Sequence, residues 1–194
     1  SRNIASSTTE YTWELGYRVI GNCNKIIEID PKNHNAWFLK GKAAGWQSNL
    51  KNIRIGEAVN CFNKAIDNAP EETIEHIKKE AADEISSLSK SLMKLCCDNF
   101  ARYPSNDNKT DILNNLQMVK SYSLLLLNKC GVKPKEFYKD VAIMMNTSVC
   151  DAWDNVITKD YKHSDHPTQF TWQTFKERCK ACIEIINEAI NLSD

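Results

Sequence analysis

Residues 35–70 constrain the fold of this 194-residue chain more than any other stretch, because small and large residues recur there at helical spacing. Trp37, Gly41 and Ala44 stand three or four residues apart and therefore share one face of a helix. Gly41 has no Cβ, which lets a second backbone approach that face closely. The stretch predicts two tightly packed helices.

A second helical face follows within the same segment. Ala58, Phe62 and Ala65 repeat the spacing, and Pro70 ends the helix because it lacks an amide hydrogen and its ring clashes with the preceding turn. Together with the Trp and Gly of the first face, these residues resemble the tetratricopeptide repeat, in which W-x2-L-G-x2-Y precedes A-x3-F-x2-A-x4-P. The resemblance implies antiparallel helix pairs stacked into an α-α superhelix.

The match departs from the family pattern in its first half. Lys40 and Ala44 stand where the family has leucine and tyrosine, and about five extra residues are expected around residues 48–53. An internal echo supports the repeat, because residues 21–31 (GNCNKIIEIDP) align with residues 60–70 (NCFNKAIDNAP). One such unit cannot bury its apolar face alone.

Longer helices are expected after the repeat segment. Apolar residues from Ile74 to Leu95 follow at steps of three or four without a breaker, which predicts one long helix. Further helices are expected at residues 111–130, from Pro134 to Val156 and at residues 167–192, with a polar loop at residues 159–165. We therefore predict an all-α single domain over residues 1–194, with repeats at 10–70, a long helix at 71–101 and a C-terminal helical bundle at 105–194.

Composition restricts the class of partner. The chain is 42% apolar and 26% charged, and its longest apolar run, Leu124–Leu127, is far shorter than the ~20 residues that span a bilayer. The formal charge is zero, and no basic cluster is present that would neutralise several phosphates. We expect a cytoplasmic protein that binds neither membrane nor nucleic acid.

The eight cysteines are spread along apolar helical faces, so reduced thiols are expected in place of a disulfide framework. Cys179 and Cys182 form a C-x-x-C pattern in mid-helix. They lack the second ligand pair of a structural zinc site and the helix-start position of a redox thiol. We interpret them as packed and inert. Cys96 and Cys97 are adjacent and point to different faces of the long helix, so at most one of them is expected in the core.

Other polar clusters offer little catalytic chemistry. His163, Asp165 and His166 lie in one polar loop before a proline, a pattern typical of a helix cap. No nucleophile, metal-ligand or phosphate-loop motif occurs in the sequence. The sequence therefore predicts no enzyme, catalytic residue, metal or cofactor. A cysteine-based metal or redox sensor is a weaker alternative.

The repeat resemblance also implies where a partner binds. In the family, the first helix of each repeat lines a concave face that receives a peptide or another protein. The corresponding stripe here is Asn35, Phe38, Lys42 and Trp46. Two aromatic rings and a cation suit a peptide groove, since such residues dominate binding energy. The alternative is that Phe38 packs on a neighbouring helix and that Trp46 packs on Leu50, on Ile53 or on the long helix.

Two functional hypotheses follow. The first is a non-catalytic protein-interaction scaffold that binds a peptide or protein on this stripe. The second is a structural or oligomerisation domain that supports a missing N-terminal domain, with the long helix and the later helices filling the concave face. The chain opens on Ser1 and not on Met, which suggests that its native start, with another domain, lies upstream.

Overall fold

The computed structural model describes residues 3–162 and 168–193, with side chains for 14–162 and 168–192. The helices are α1 (Asn3–Ile29), α2 (His34–Trp46), α3 (Ile55–Asp67), α4 (Ile74–Arg102), α5 (Asn106–Lys129), α6 (Lys135–Ala152), α7 (Thr158–Lys162) and α8 (Gln169–Ser193), with a π-helical turn at Trp153–Ile157. Within those residues the extended pairing is limited to an isolated bridge between Asn49 and Asn52. The predicted all-α class is confirmed.

Several predicted helix boundaries differ from the observed ones. The long helix is present as α4, but α5 begins at Asn106 and not at Asp111. Its earlier start has a local cause, because the Asn108 amide donates to Ser105 Oγ over 3.2 Å at the first turn. The loop predicted from Lys159 is wrong at its start, since α7 continues to Lys162. The rest of that loop lies outside the described residues.

The chain divides into two compact units. The first contains Ser1–Ser89 and Ser121–Lys133, and the second contains Lys90–Lys120 and Pro134–Asp194. Helices α4 and α5 each contribute residues to both units. The expected single domain over residues 1–194 stays a prediction.

A close contact between α2 and α3 forms the centre of the first unit. A Cβ added to Gly41 would lie 2.9 Å from Cys61 Cβ and 3.0 Å from the Ala58 carbonyl oxygen, so only glycine permits this approach. Gly45, one turn later on α2, lies next to Ala58, earlier on α3. The two helices are therefore antiparallel.

The start of α2 is defined by its capping residue. Asn33 Oδ1 accepts the Ala36 amide over 2.9 Å, which satisfies one free donor of the first turn. The Trp37 indole donates to the Pro31 carbonyl over 2.9 Å, and its ring lies 4.0 Å from Lys64 Nζ on α3. Trp37 thus joins the α1–α2 turn to the helix pair.

The end of α2 leads into the loop that carries the extra residues expected between the helices. Residues 47–54 form this loop, and the Arg54 amide donates to Ser48 Oγ over 2.9 Å at its end. The Arg54 guanidinium also donates to the Gln47 side chain, which is buried. These bonds connect the two ends of the loop at the point where α3 begins.

The second unit has a core in which α4 is packed on more than one side. Cys96 Sγ accepts a hydrogen bond from the side-chain amide of Asn115 on α5 over 3.2 Å. Cys97 lies against Ser148 of α6. Both thiols are only 2% exposed. The prediction that at most one of them is in the core is wrong, because α4 has a different neighbouring helix on each of these two faces.

Aromatic rings join the π-helical turn and α7 to α8. The Phe175 ring centroid lies 4.7 Å from that of Tyr161, 5.8 Å from that of Trp172 and 6.0 Å from that of Trp153. Offset and tilted rings at these separations attract one another beyond their burial. The cluster therefore fastens the start of α8 to the segment that follows α6.

Candidate protein-interaction site

The four residues predicted to bind a partner lie on α2, but they do not share one environment. Asn35, Lys42 and Trp46 are exposed to solvent, whereas Phe38 is half-buried. The Phe38 ring centroid lies 5.2 Å from that of Phe62, which is fully buried on α3. Phe38 thus contributes to the packing of the helix pair, as the alternative interpretation anticipated.

Leu39 completes the exposed stripe in place of Phe38. Its side chain is 52% exposed, and it stands four residues after Asn35 and three before Lys42. With Trp46 four residues further on, these positions follow one line along the helix. Sequence reasoning missed Leu39, although the same spacing rule includes it.

One carboxylate of α4 binds two residues of this stripe. Lys42 Nζ lies 2.9 Å from Glu84 Oε2, and the Trp46 indole donates a hydrogen bond to Glu84 Oε1. The Glu84 side chain is only 15% exposed, so these two partners replace much of the water that a carboxylate would otherwise bind. Glu84 was missed by the sequence argument because it lies 38 residues from Trp46.

The bond to Glu84 restricts Trp46 without covering it. The indole nitrogen is engaged, yet 49% of the residue remains exposed. A fixed aromatic ring binds an apolar group with little loss of conformational entropy. We define the α2–α4 face as Asn35, Leu39, Lys42, Trp46 and Glu84. This face presents the aromatic ring of Trp46, the aliphatic side chain of Leu39 and the ion pair between Lys42 and Glu84.

The thiols of the C-x-x-C pair, Cys179 and Cys182, differ from the activated thiols of a reactive site. All eight cysteines are free. Burial raises the pKa of Cys182 to about 11, with further contributions from the neighbouring Cys179 and Cys150, and burial also raises the pKa of Cys179. Both therefore remain protonated at neutral pH and are weak nucleophiles there.

Across residues 3–162 and 168–193, no group of three or more His, Cys, Asp and Glu side chains is arranged to hold a metal ion. The cluster of His163, Asp165 and His166 lies outside the described residues. In the same ranges, no helix combines the length and the apolar character needed to cross a bilayer.

Comparison of the chain with protein-family models, with curated proteins and with solved structures finds no match.

Proposed function

We propose that the chain is a non-catalytic interaction scaffold of the tetratricopeptide-like type, which binds a peptide or protein segment on the α2–α4 face. The observation that supports this most directly is Trp46, an aromatic ring that is half exposed while its indole nitrogen is bound to Glu84. A large ring held in one orientation but open to solvent is typical of a binding anchor.

The chemistry of the face defines the segment it would accept. Trp46 and Leu39 favour an apolar side chain, and the Asn35 amide has both a donor and an acceptor for a partner backbone. Glu80 lies one turn before Glu84 on α4 and is exposed, so one margin of the face is negative. A segment with an apolar residue next to a basic one fits these features.

We further propose that the protein is cytoplasmic. Its eight thiols are free, and five of them are buried within helical packing where a disulfide would require rearrangement. A reducing compartment suits such a chain.

Selection of binding peptides from a random displayed library against the immobilised 194-residue chain tests the proposal. We expect selected peptides to bind Trp46→Ala at least about tenfold more weakly than the wild-type chain, since aromatic anchors dominate binding energy. Trp172→Ala is a matched control, because Trp172 on α8 is 47% exposed. Peptides that bind Trp46→Ala as tightly as wild type would contradict the proposed face.

A further inference from the structure

Helices α6 and α8 of the second unit present a second apolar surface to solvent. Its exposed members are Ile143 on α6, Trp153 in the π-helical turn, and Ile183, Ile186 and Ile190 on α8, with exposed fractions between 36% and 57%. On α8, Cys179 and the three isoleucines follow at steps of four, three and four. This is the spacing with which one helix packs along another.

A groove of about 450 Å³ lies between the two helices on this surface. Apolar side chains line it, among them Val149 and Trp153 from one side and Ile183 and Ile186 from the other. The stripe continues past the groove to Ile190, so from Cys179 it extends ~16 Å along α8. A small ligand would cover only part of this length, whereas another helix would cover all of it.

Contacts between the two helices fix their relative direction. Cys150 lies near Cys182, and the Trp153 ring lies 6.0 Å from Phe175, which is earlier on α8. Tyr161, later still, lies 6.0 Å from Trp172. The segment from α6 onward therefore runs antiparallel to α8, and residues 151–154 lie level with residues 175–180.

Opposite charges flank the surface at this level. Asp151 and Asp154 are exposed on the α6 side, and no ion pair is found for either within the described part of the chain. Lys176 and Lys180 are exposed on the α8 side. Lys176 lies 5.8 Å above the Trp172 ring, and Lys180 reaches Glu184 only at 4.0 Å. Glu177 is also exposed on α8 at this level, where it accepts a hydrogen bond from the Gln173 side-chain amide over 2.9 Å. The surface thus carries two aspartates along its α6 edge and two lysines along its α8 edge.

We propose that this surface, the α6–α8 face, binds a second copy of the same chain. A two-fold axis parallel to the helices would bring α6 of one copy against α8 of the other, as in a four-helix bundle. Because rotation about that axis preserves the level along the helices, Asp154 and Asp151 would oppose the second copy's Lys176 and Lys180. The isoleucine stripes would be covered in the same arrangement.

Sedimentation equilibrium of the full chain tests the pairing. The wild-type chain is expected to show twice the monomer mass of 22.2 kDa, with a dissociation constant at or below about 10 μM. Ile183→Asp should weaken the dimer at least about a hundredfold, because a charge would enter the apolar centre. Leu125→Asp is the matched control, since Leu125 is 64% exposed on α5 and lies outside the face. It should leave the dimer intact.

Charge reversal tests the orientation. Asp154→Lys and Lys176→Asp should each weaken the dimer at least about fivefold, and the double variant should return it to within about twofold of wild type. A double variant that stays weak overturns the two-fold arrangement. A wild-type chain that is monomeric at about 200 μM overturns the proposal. If that monomer binds an apolar dye and Ile183→Asp abolishes the binding, the face takes a small apolar ligand instead.

Discussion

The Trp46 indole of α2 donates its hydrogen to a carboxylate oxygen of Glu84 on α4. The other oxygen of that carboxylate pairs with Lys42, one turn before Trp46. A single acidic side chain thus sets the positions of an aromatic ring and a cation on the neighbouring helix. The Trp46 ring remains 49% exposed, so a polar contact and not burial in the core holds it in place.

Replacement of Glu84 separates its two interactions. Glu84→Gln keeps an acceptor for the indole and loses only the ion pair with the exposed Lys42, so we expect a loss of at most ~0.5 kcal/mol in unfolding free energy. Glu84→Ala also removes the hydrogen bond and should cost about 1 kcal/mol. Urea denaturation measures both values. Glu80→Ala is the control, and an Ala variant of Glu84 no less stable than the Gln variant would contradict the arrangement.

Phe38 and Leu39 are adjacent, but their replacement by alanine should affect the unfolding free energy to very different extents. Phe38→Ala removes the contact with the buried Phe62 ring, so we expect a loss of about 2–3 kcal/mol in unfolding free energy and a lower Tm. Leu39→Ala removes an exposed side chain and should change stability by less than about 0.5 kcal/mol. Thermal and urea unfolding of both variants provide the measurement. Equal losses would show that Leu39 is also part of the core.

The helix pair was predictable from sequence because its packing depends on local spacing. Gly41 permits the close approach to α3, and that requirement appears directly in the sequence as a small residue at a helical step. The orientation of Phe38 was not predictable in the same way. Neighbouring positions on a helix differ by about 100°, so the position of the packed helix decides which side chain is covered.

Contacts distant in sequence account for the other differences. Glu84 belongs to the candidate site through a pairing of α2 with α4 that no spacing rule contains. Likewise, adjacency places Cys96 and Cys97 on different faces of α4, but it does not reveal that α5 covers one face and α6 the other. A single amphipathic stripe describes a helix with one buried side, and α4 has more.

Gly41 and Gly21 form a matched pair for testing the α2–α3 contact. A Cβ at Gly41 would meet Cys61 Cβ at 2.9 Å and a backbone oxygen at 3.0 Å, so Gly41→Ala should cost about 1–3 kcal/mol despite alanine's better helix propensity. A Cβ at Gly21 in α1 would meet nothing within 4 Å, so Gly21→Ala should stabilise by about 0.5–1 kcal/mol. Denaturant unfolding compares them. A neutral or stabilising Gly41→Ala would show that the helices separate easily.

Because burial raises the pKa of the Cys61 thiol, we expect the chain to lose stability in alkaline solution. Burial is the main cause that raises its pKa from 9.0 to about 11, and Glu57 adds to the shift while Lys40 and Lys64 oppose it. Well below pH 9 the thiol is protonated in both the folded and the unfolded chain, so it has no effect on the pH dependence there. Between pH 9 and about 11 the unfolded chain releases this proton while the folded chain keeps it.

The unfolding free energy should therefore fall as the pH rises through this window, by up to about 1.4 kcal/mol per pH unit for one such thiol. Cys61→Ala removes this contribution, so its unfolding free energy should decline less steeply between pH 9 and about 11, although the small cavity lowers its stability at pH 7. Urea denaturation at a series of pH values gives both slopes. Cys150→Ala, at an exposed position, is the control for the substitution itself. Identical alkaline slopes for wild type and Cys61→Ala would show that the thiol ionises as readily in the folded chain as in the unfolded one, and hence that the α2–α3 contact admits water.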